Sequence, residues 1–253
     1  MRVEDATLAR SYFNRALELD PTLAAANTGL SRLYLMESGL FAKRPLEESV
    51  QLAGEEARKA VEIDPTDAEA LADQAFAVGI AGDFNRGFEY VERALSINPN
   101  CVRAYRVKGW LLLNSGKPTE WREAFLFAIR IDPRSASDVT VRSHIADSYY
   151  KERDYENAVA AARRLVGDRP DHPWAYRRLA AALGQLGRSD EARVALDKAV
   201  AIAPDVFRLF VAQRLPWTRQ VDYDDMLDGL RKAGWQGGRY NRGSPAIGSD
   251  NRD

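Results

Sequence analysis

A six-residue phrase ending in proline recurs along the chain and limits its fold more than any other feature. It reads Ala16-Leu-Glu-Leu-Asp-Pro21, Ala60-Val-Glu-Ile-Asp-Pro65, Ala94-Leu-Ser-Ile-Asn-Pro99, Ala128-Ile-Arg-Ile-Asp-Pro133 and Ala199-Val-Ala-Ile-Ala-Pro204, with a weaker copy ending at Pro170. The prolines are spaced by 44, 34, 34, 37 and 34 residues. A fixed period of roughly 20–50 residues marks a stacked array, in which each unit buries its apolar face only against its neighbours.

Each position in the phrase has a mechanical reading. Proline cannot donate to a continuing helix and restricts the residue before it, so each phrase ends a helix. The alanine five residues earlier is small enough for two helices to approach closely. A second small position lies twelve residues before the proline, at Ala9, Ala53, Ala158 and Ala192. Glycines five residues further back, Gly82, Gly116 and Gly187, fit short reversals between paired helices.

On these residues the unit resembles the tetratricopeptide repeat (TPR), a helix-turn-helix of about 34 residues. The resemblance implies an all-α, right-handed superhelical solenoid of antiparallel helix pairs. It predicts a half repeat over 1–21 (second helix only), five repeats over 22–204, capping helices over 205–235 and a disordered tail over 236–253. Helices are expected near 4–19, 22–38, 45–63, 67–81, 84–97, 101–115, 118–131, 138–151, 154–167, 173–186 and 189–203, then over Val206–Arg214 and Tyr223–Lys232. The long first interval maps around Ser38–Pro45, where Pro45 suits the first turn of a new helix. The 37-residue interval maps its excess around Arg134–Asp138. Trp121 and Gly87 stand where alanine is expected, and an indole there predicts an opened, distorted third repeat.

Helix 4–19 has no first helix to pair with in the sequence. An apolar face built on Phe13 and Leu17 is therefore expected to be partly uncovered. Either the chain is the distal part of a longer protein, or another molecule covers this helix, including a second copy through self-association. The arginine- and glycine-bearing tail from Gln236 reads as a flexible segment rather than an RNA-binding one.

Composition narrows the function. The net charge of -1 gives no global attraction to nucleic acid or anionic membrane, so neither is expected as a partner. No stretch approaches the roughly 18 apolar residues of a membrane span, and Met1-Arg2-Val3-Glu4-Asp5 is not a secretory signal. Cys101 is the only cysteine, so a cytoplasmic location is expected.

Chemistry is sparse. His144 and His172 are the only histidines and lie far apart, which does not fit a metal site of three or four ligands. His172, in Asp171-His172-Pro173, reads as a turn residue, and Cys101 as a packing residue at a repeat junction. No phosphate-binding glycine loop or nucleophile elbow is present. No enzyme activity, cofactor or metal is expected.

The TPR resemblance implies that the first helix of each pair lines a concave groove. Carried over, the pattern places Glu69, Asp73 and Phe76, then Arg103, Arg106, Trp110 and Asn114, then His144, Asp147, Tyr150 and Lys151, then Trp174, Arg177, Arg178 and Gln185 on that surface. Arginines mixed with aromatics suit an extended, acidic peptide or protein segment. Equally, the arginines are solvated and the aromatics pack between repeats. The carboxylate clamp of chaperone-binding TPR proteins is not reproduced, since Thr28, Arg32 and Asp73 occupy its positions.

The order of features is also similar to the C-terminal TPR region of bacterial class III adenylate/guanylate cyclases. The likeness rests on the long first complete repeat, the slightly long fourth unit and the ending Leu215-Pro216-Trp217…Tyr223-Asp224-Asp225-Met226-Leu227-Asp228-Gly229-Leu230-Arg231-Lys232-Ala233-Gly234. Related repeats also follow winged-helix domains in some bacterial regulators. The resemblance implies a bacterial signalling context and no catalytic residue on this chain.

Overall fold

The computed structural model describes residues 3–39, 45–134, 139–212 and 214–237. Residues 40–44 and 135–138, where the excess of the two long intervals was mapped, and most of the tail fall outside them. Among the described residues every regular element is helical. The helices are α1 (Val3–Leu19), α2 (Ala24–Gly39), α3 (Leu46–Ile63), α4 (Ala68–Ile80), α5 (Phe84–Ile97), α6 (Val102–Ser115) and α7 (Pro118–Ile131). They continue with α8 (Val139–Lys151), α9 (Tyr155–Asp168), α10 (Pro173–Gln185), α11 (Ser189–Ile202), α12 (Pro204–Ala212) and α13 (Gln220–Lys232). Helices α2/α3, α4/α5, α6/α7, α8/α9 and α10/α11 are the paired units.

The recurring phrase works as a stop and a turn together. Asp20 and Asp64 each accept the amide of the residue two positions on at 2.9 Å, and Asn98 does so at 3.0 Å. The side chain thus closes an Asx turn that the proline cannot leave by continuing the helix. Restarts are capped: Asp67 accepts the amides of Glu69 and Ala70, Asp83 that of Arg86, and Asp154 that of Asn157. The reversals of α4/α5, α6/α7 and α10/α11 use left-handed glycines, Gly82, Gly116 and Gly187, and that of α8/α9 uses Arg153 (φ 62°).

The small positions do what their size allows. Ala53, Ala60, Ala94, Ala192 and Ala199 are fully buried. Ala9 and Ala16 are only half-buried, because α1 has a partner on one side alone.

One expectation requires correction. The α6/α7 pair is not opened by Trp121, whose indole is buried and lies edge-on to Phe125 at 5.2 Å. The looseness falls one step later, between α7 and α8. Phe13 and Leu17 of α1 are half-buried, so that face is partly uncovered as expected. A Cβ on Gly29 of α2 would meet the Phe13 ring at 2.3 Å, so the glycine makes room for it. The exposed apolar side chains of α1 are Leu8, Tyr12 and Leu19, which share the opposite stripe.

The C-terminal segment departs most from expectation. Rather than closing only the end of the stack, 204–234 folds back as a strap along the inner helices. Leu215 and Phe210 cluster with Leu46 at the start of α3 and Trp174 of α10. Pro216 lies against the Gly82 turn, and Arg219 against the Gly116 turn. Helix α13 then docks on α10 with backbones nearly touching: a Cβ on Gly184 would meet the Gly229 carbonyl at 2.0 Å.

Candidate functional site

Helices α4, α6, α8 and α10 present successive inner faces, and the strap crosses in front of them. The result is a partly enclosed cavity of about 530 Å³. Arg103, Arg106, Trp110, Asn114, His144, Tyr150, Trp174, Arg177 and Arg178, all expected on the groove, line this one space. Phe76, Asp147 and Lys151 line it as well, whereas Glu69, Asp73 and Gln185 do not. The helical offset that sends one stripe of each first helix inward brings together residues as far apart as Phe76 and Arg178.

Of the remaining wall, sequence reasoning placed only Arg32 on an inner position. Arg32, Leu35, Met36 and Leu46 come from the first pair, and Phe210, Leu215, Trp217, Asp222, Tyr223 and Met226 from the strap. His172, read as a turn residue, precedes α10 and faces the cavity too. The one available signal was the pair of aromatics in Leu215-Pro216-Trp217 and Tyr223 just beyond a finished array.

Aromatic rings build one side. Trp110 is buried, meets Phe76 edge-on at 5.0 Å and faces Trp217 of the strap at 6.3 Å. Trp174 lies 4.1 Å from Phe210 by ring centroids. Tyr150 is buried beneath α13, donating its hydroxyl to the Asp225 carbonyl at 3.0 Å, and burial pushes its pKa well up. Gln185 donates to the same carbonyl at 2.9 Å. Tyr150 and Trp110 therefore pack, as one reading of the sequence held, and line the cavity at the same time.

The charges are uneven. Arg32, Arg103, Arg106, Lys151, Arg177 and Arg178 line the space against Asp147 and Asp222. Several of these cations are already engaged. Asp73, 2 % exposed, receives Arg32 Nε and Arg103 Nε at 2.7 Å each. Arg178 donates to Asp147 at 3.0 Å and to the Ser143 hydroxyl at 2.6 Å. Lys151 donates to Asn114 Oδ1 at 2.8 Å and lies 3.9 Å from Asp222. Arg103 and Arg178 are thus held by internal carboxylates, which the solvated reading of the arginines did not anticipate.

Arg177 differs. It is 9 % exposed, its guanidinium carbon lies 5.4 Å from the Trp174 ring centroid and 4.8 Å from that of Phe210, and its Nε has no hydrogen-bond partner among the described residues. Burial, reinforced by neighbouring Arg178, draws its pKa down to about 9. Burial likewise lowers the pKa of His144 to about 4, with Arg178, Arg106 and Lys151 adding to it against Asp147. His172 falls to about 4 through burial, Arg178 and Arg169. Both imidazoles are neutral at pH 7, and the Arg177 guanidinium is charged. The Nδ1 atoms of both histidines and Trp174 Nε1 are buried without hydrogen-bond partners among the described residues.

Elsewhere, Cys101 is buried at the α5/α6 junction with Sγ 3.7 Å from Glu69 Oε1, and burial raises its thiol pKa. That geometry packs rather than activates it. Among the described residues no three His, Cys, Asp or Glu side chains gather as metal ligands, and no helix is long and apolar enough to cross a membrane.

Residues 149–213 match the family model for the tetratricopeptide repeat. The chain is similar to the peroxisomal targeting signal receptor of Candida albicans, 27% identical over 155 residues, 59% of this chain and 26% of that protein. It is also similar to the type IV pilus assembly protein PilF of Pseudomonas aeruginosa, 28% identical over 152 residues, 58% of this chain and 54% of that one. The matches thus span about a quarter and about half of these curated relatives. Among solved structures, the Cut9–Hcn1 hetero-tetramer of the APC/C superposes with a TM-score of 0.66 at 14% identity, over 90% of this chain and 40% of that one. PilW, a type IV pilus biogenesis factor, gives 0.59 at 18% identity, over 84% and 89%. At these identities the structures speak for the fold: an all-helical TPR solenoid.

Proposed function

We propose that this TPR solenoid is a non-catalytic scaffold that receives a segment of a partner protein on its concave face. The observation that carries the reading is that this face already holds a polypeptide, the chain's own strap. It does so through aromatic stacking at Trp110 and hydrogen bonds from Tyr150 and Gln185. A surface that grips one amphipathic segment has the apolar anchors and polar donors for another. The excess of arginine over carboxylate favours an acidic partner. One relative is named as a receptor and another as an assembly protein, and both names describe work through partners.

The test is site-specific photo-crosslinking in cells. A crosslinking residue at Glu69, on the concave side, should trap a discrete polypeptide rich in Asp and Glu, with capture falling as salt rises. The same group at Leu126, exposed on the second helix of its pair, should not. Equal trapping at both positions, or at Leu126 alone, refutes the groove.

A second reading, self-association, is favoured by the Leu8, Tyr12 and Leu19 stripe of α1, exposed by 53%, 66% and 71%. Light scattering over a concentration series should show an oligomer that Tyr12→Glu dissolves. Phe13→Glu is unsuitable, since Phe13 packs on Gly29. The bacterial signalling setting, within or beside a cyclase-like or winged-helix protein, rests on the likeness of the repeat order and of segment 215–234. A cyclase-type coding frame directly upstream would support it.

A further inference from the structure

We infer that the cavity beneath the strap is a binding site for a small organic anion, an apolar or aromatic body bearing one carboxylate, phosphate or sulfonate group seated on Arg177. The strap sets the size of the ligand. With Leu215 and Trp217 forming part of the wall, the space of about 530 Å³ lies in the range of small-molecule sites. Its character comes from Arg177. A buried guanidinium is costly unless a counter-charge repays it, and its cationic neighbour Arg178 has spent its fork on Asp147 and Ser143. Arg177 is left against the Trp174 and Phe210 rings, its Nε without a partner among the described residues. The Trp174 indole N–H and the Nδ1 atoms of His144 and His172 are further unsatisfied polar atoms on side chains that line the same space. Buried polar groups are ordinarily hydrogen-bonded, and Arg177, nine-tenths buried on the cavity wall with no partner for its Nε among the described residues, points to a ligand that brings the counter-charge. This site goes beyond the partner-binding reading. Glu69, where that reading is tested, is not part of the cavity wall, so either can fail alone.

The probe is 1-anilinonaphthalene-8-sulfonate, a compact aromatic with a single anionic group, titrated against the full chain by fluorescence and calorimetry. Saturable binding of one probe per chain is expected. Benzoate and phenyl phosphate, added separately, should displace it and show which anion the site prefers, while inorganic phosphate, lacking the apolar body, should displace it far less. Arg177→Met should weaken binding at least tenfold, and Arg208→Gln, on an exposed arginine of α12, should leave it unchanged. Arg177→Met should also melt at or above the wild-type temperature, because it removes an unpaired buried charge. Unsaturable binding, wild-type affinity in Arg177→Met, or a lowered melting temperature in that variant, which would make Arg177 a structural residue, each overturns the assignment.

Discussion

Trp217 of the C-terminal strap faces Trp110 of α6 with ring centroids 6.3 Å apart and planes at 54°. More than a hundred residues separate them in sequence, and their meeting turns an open groove into a cavity. Trp217→Ala should therefore loosen the strap without unfolding the repeats, at a cost of about 1–3 kcal/mol in urea denaturation for a half-buried indole. Hydrogen exchange should rise over 214–219 and around Gly82 and stay unchanged in α4. Unchanged exchange over 214–219 would show that the contact does not hold the strap.

The docking of α13 on α10 is set by two glycines. A Cβ on Gly229 would lie 2.4 Å from the Ala181 carbonyl oxygen, and backbone cannot yield as a side-chain tip can. Gly229→Ala should cost about 1–3 kcal/mol, and Gly54→Ala, where a Cβ meets nothing within 4 Å, should be neutral or slightly stabilising. Chemical denaturation of the two variants side by side checks this.

Arg153 occupies the left-handed place that glycine fills at 82, 116 and 187. Its Cβ crowds the backbone there, and the chain gains nothing visible from it, since the Arg153 amide bond to the Tyr150 carbonyl survives substitution. Arg153→Gly should raise stability by about 0.5–1 kcal/mol, partly offset by glycine's freedom in the unfolded chain. A lower melting temperature would contradict it.

His144 and His172 carry pKa values of about 4 in the folded chain against an ordinary value of 6.5. The unfolded chain binds more protons between those limits, so stability falls as pH drops from about 6.5 toward 4. On the order of 2 kcal/mol for each histidine should be lost between pH 7 and pH 5. Asp147, held well below the usual carboxylate range despite burial by Arg178 and Lys151, adds a loss only at lower pH. Melting curves of His144→Gln and His172→Gln should each show a shallower slope over that interval. Equal slopes in all three proteins would place the shift elsewhere.

The helix boundaries and the inward stripe were legible for one reason. Asp-Pro stops, capping aspartates and turn glycines act over three or four residues, and the same short code is written five or six times. The inward stripe follows from 3.6 residues per turn once the boundaries are known. The pairing of Arg103 with Asp73 was not legible, because both residues were assigned inward and nothing local says that two inward groups of opposite charge will consume each other. The intact α6/α7 pair around Trp121 was not legible either. The indole finds room against Phe125, and the slack passes to the next junction, a collective outcome of packing.

By itself, the sequence determined a solenoid of helix pairs, its period and the face each first helix turns inward, since those are consequences of local hydrogen bonding repeated in register. The strap was decided only in three dimensions. Residues 204–234 carry ordinary amphipathic helix signals that fit an end cap as well as a return path. The choice between them depends on Gly184 meeting Gly229, Trp110 meeting Trp217 and Leu46 meeting Leu215 across the whole arc of the array. Contacts between such distant positions leave no period in the chain, and they convert a row of inner arginines into one partly enclosed site.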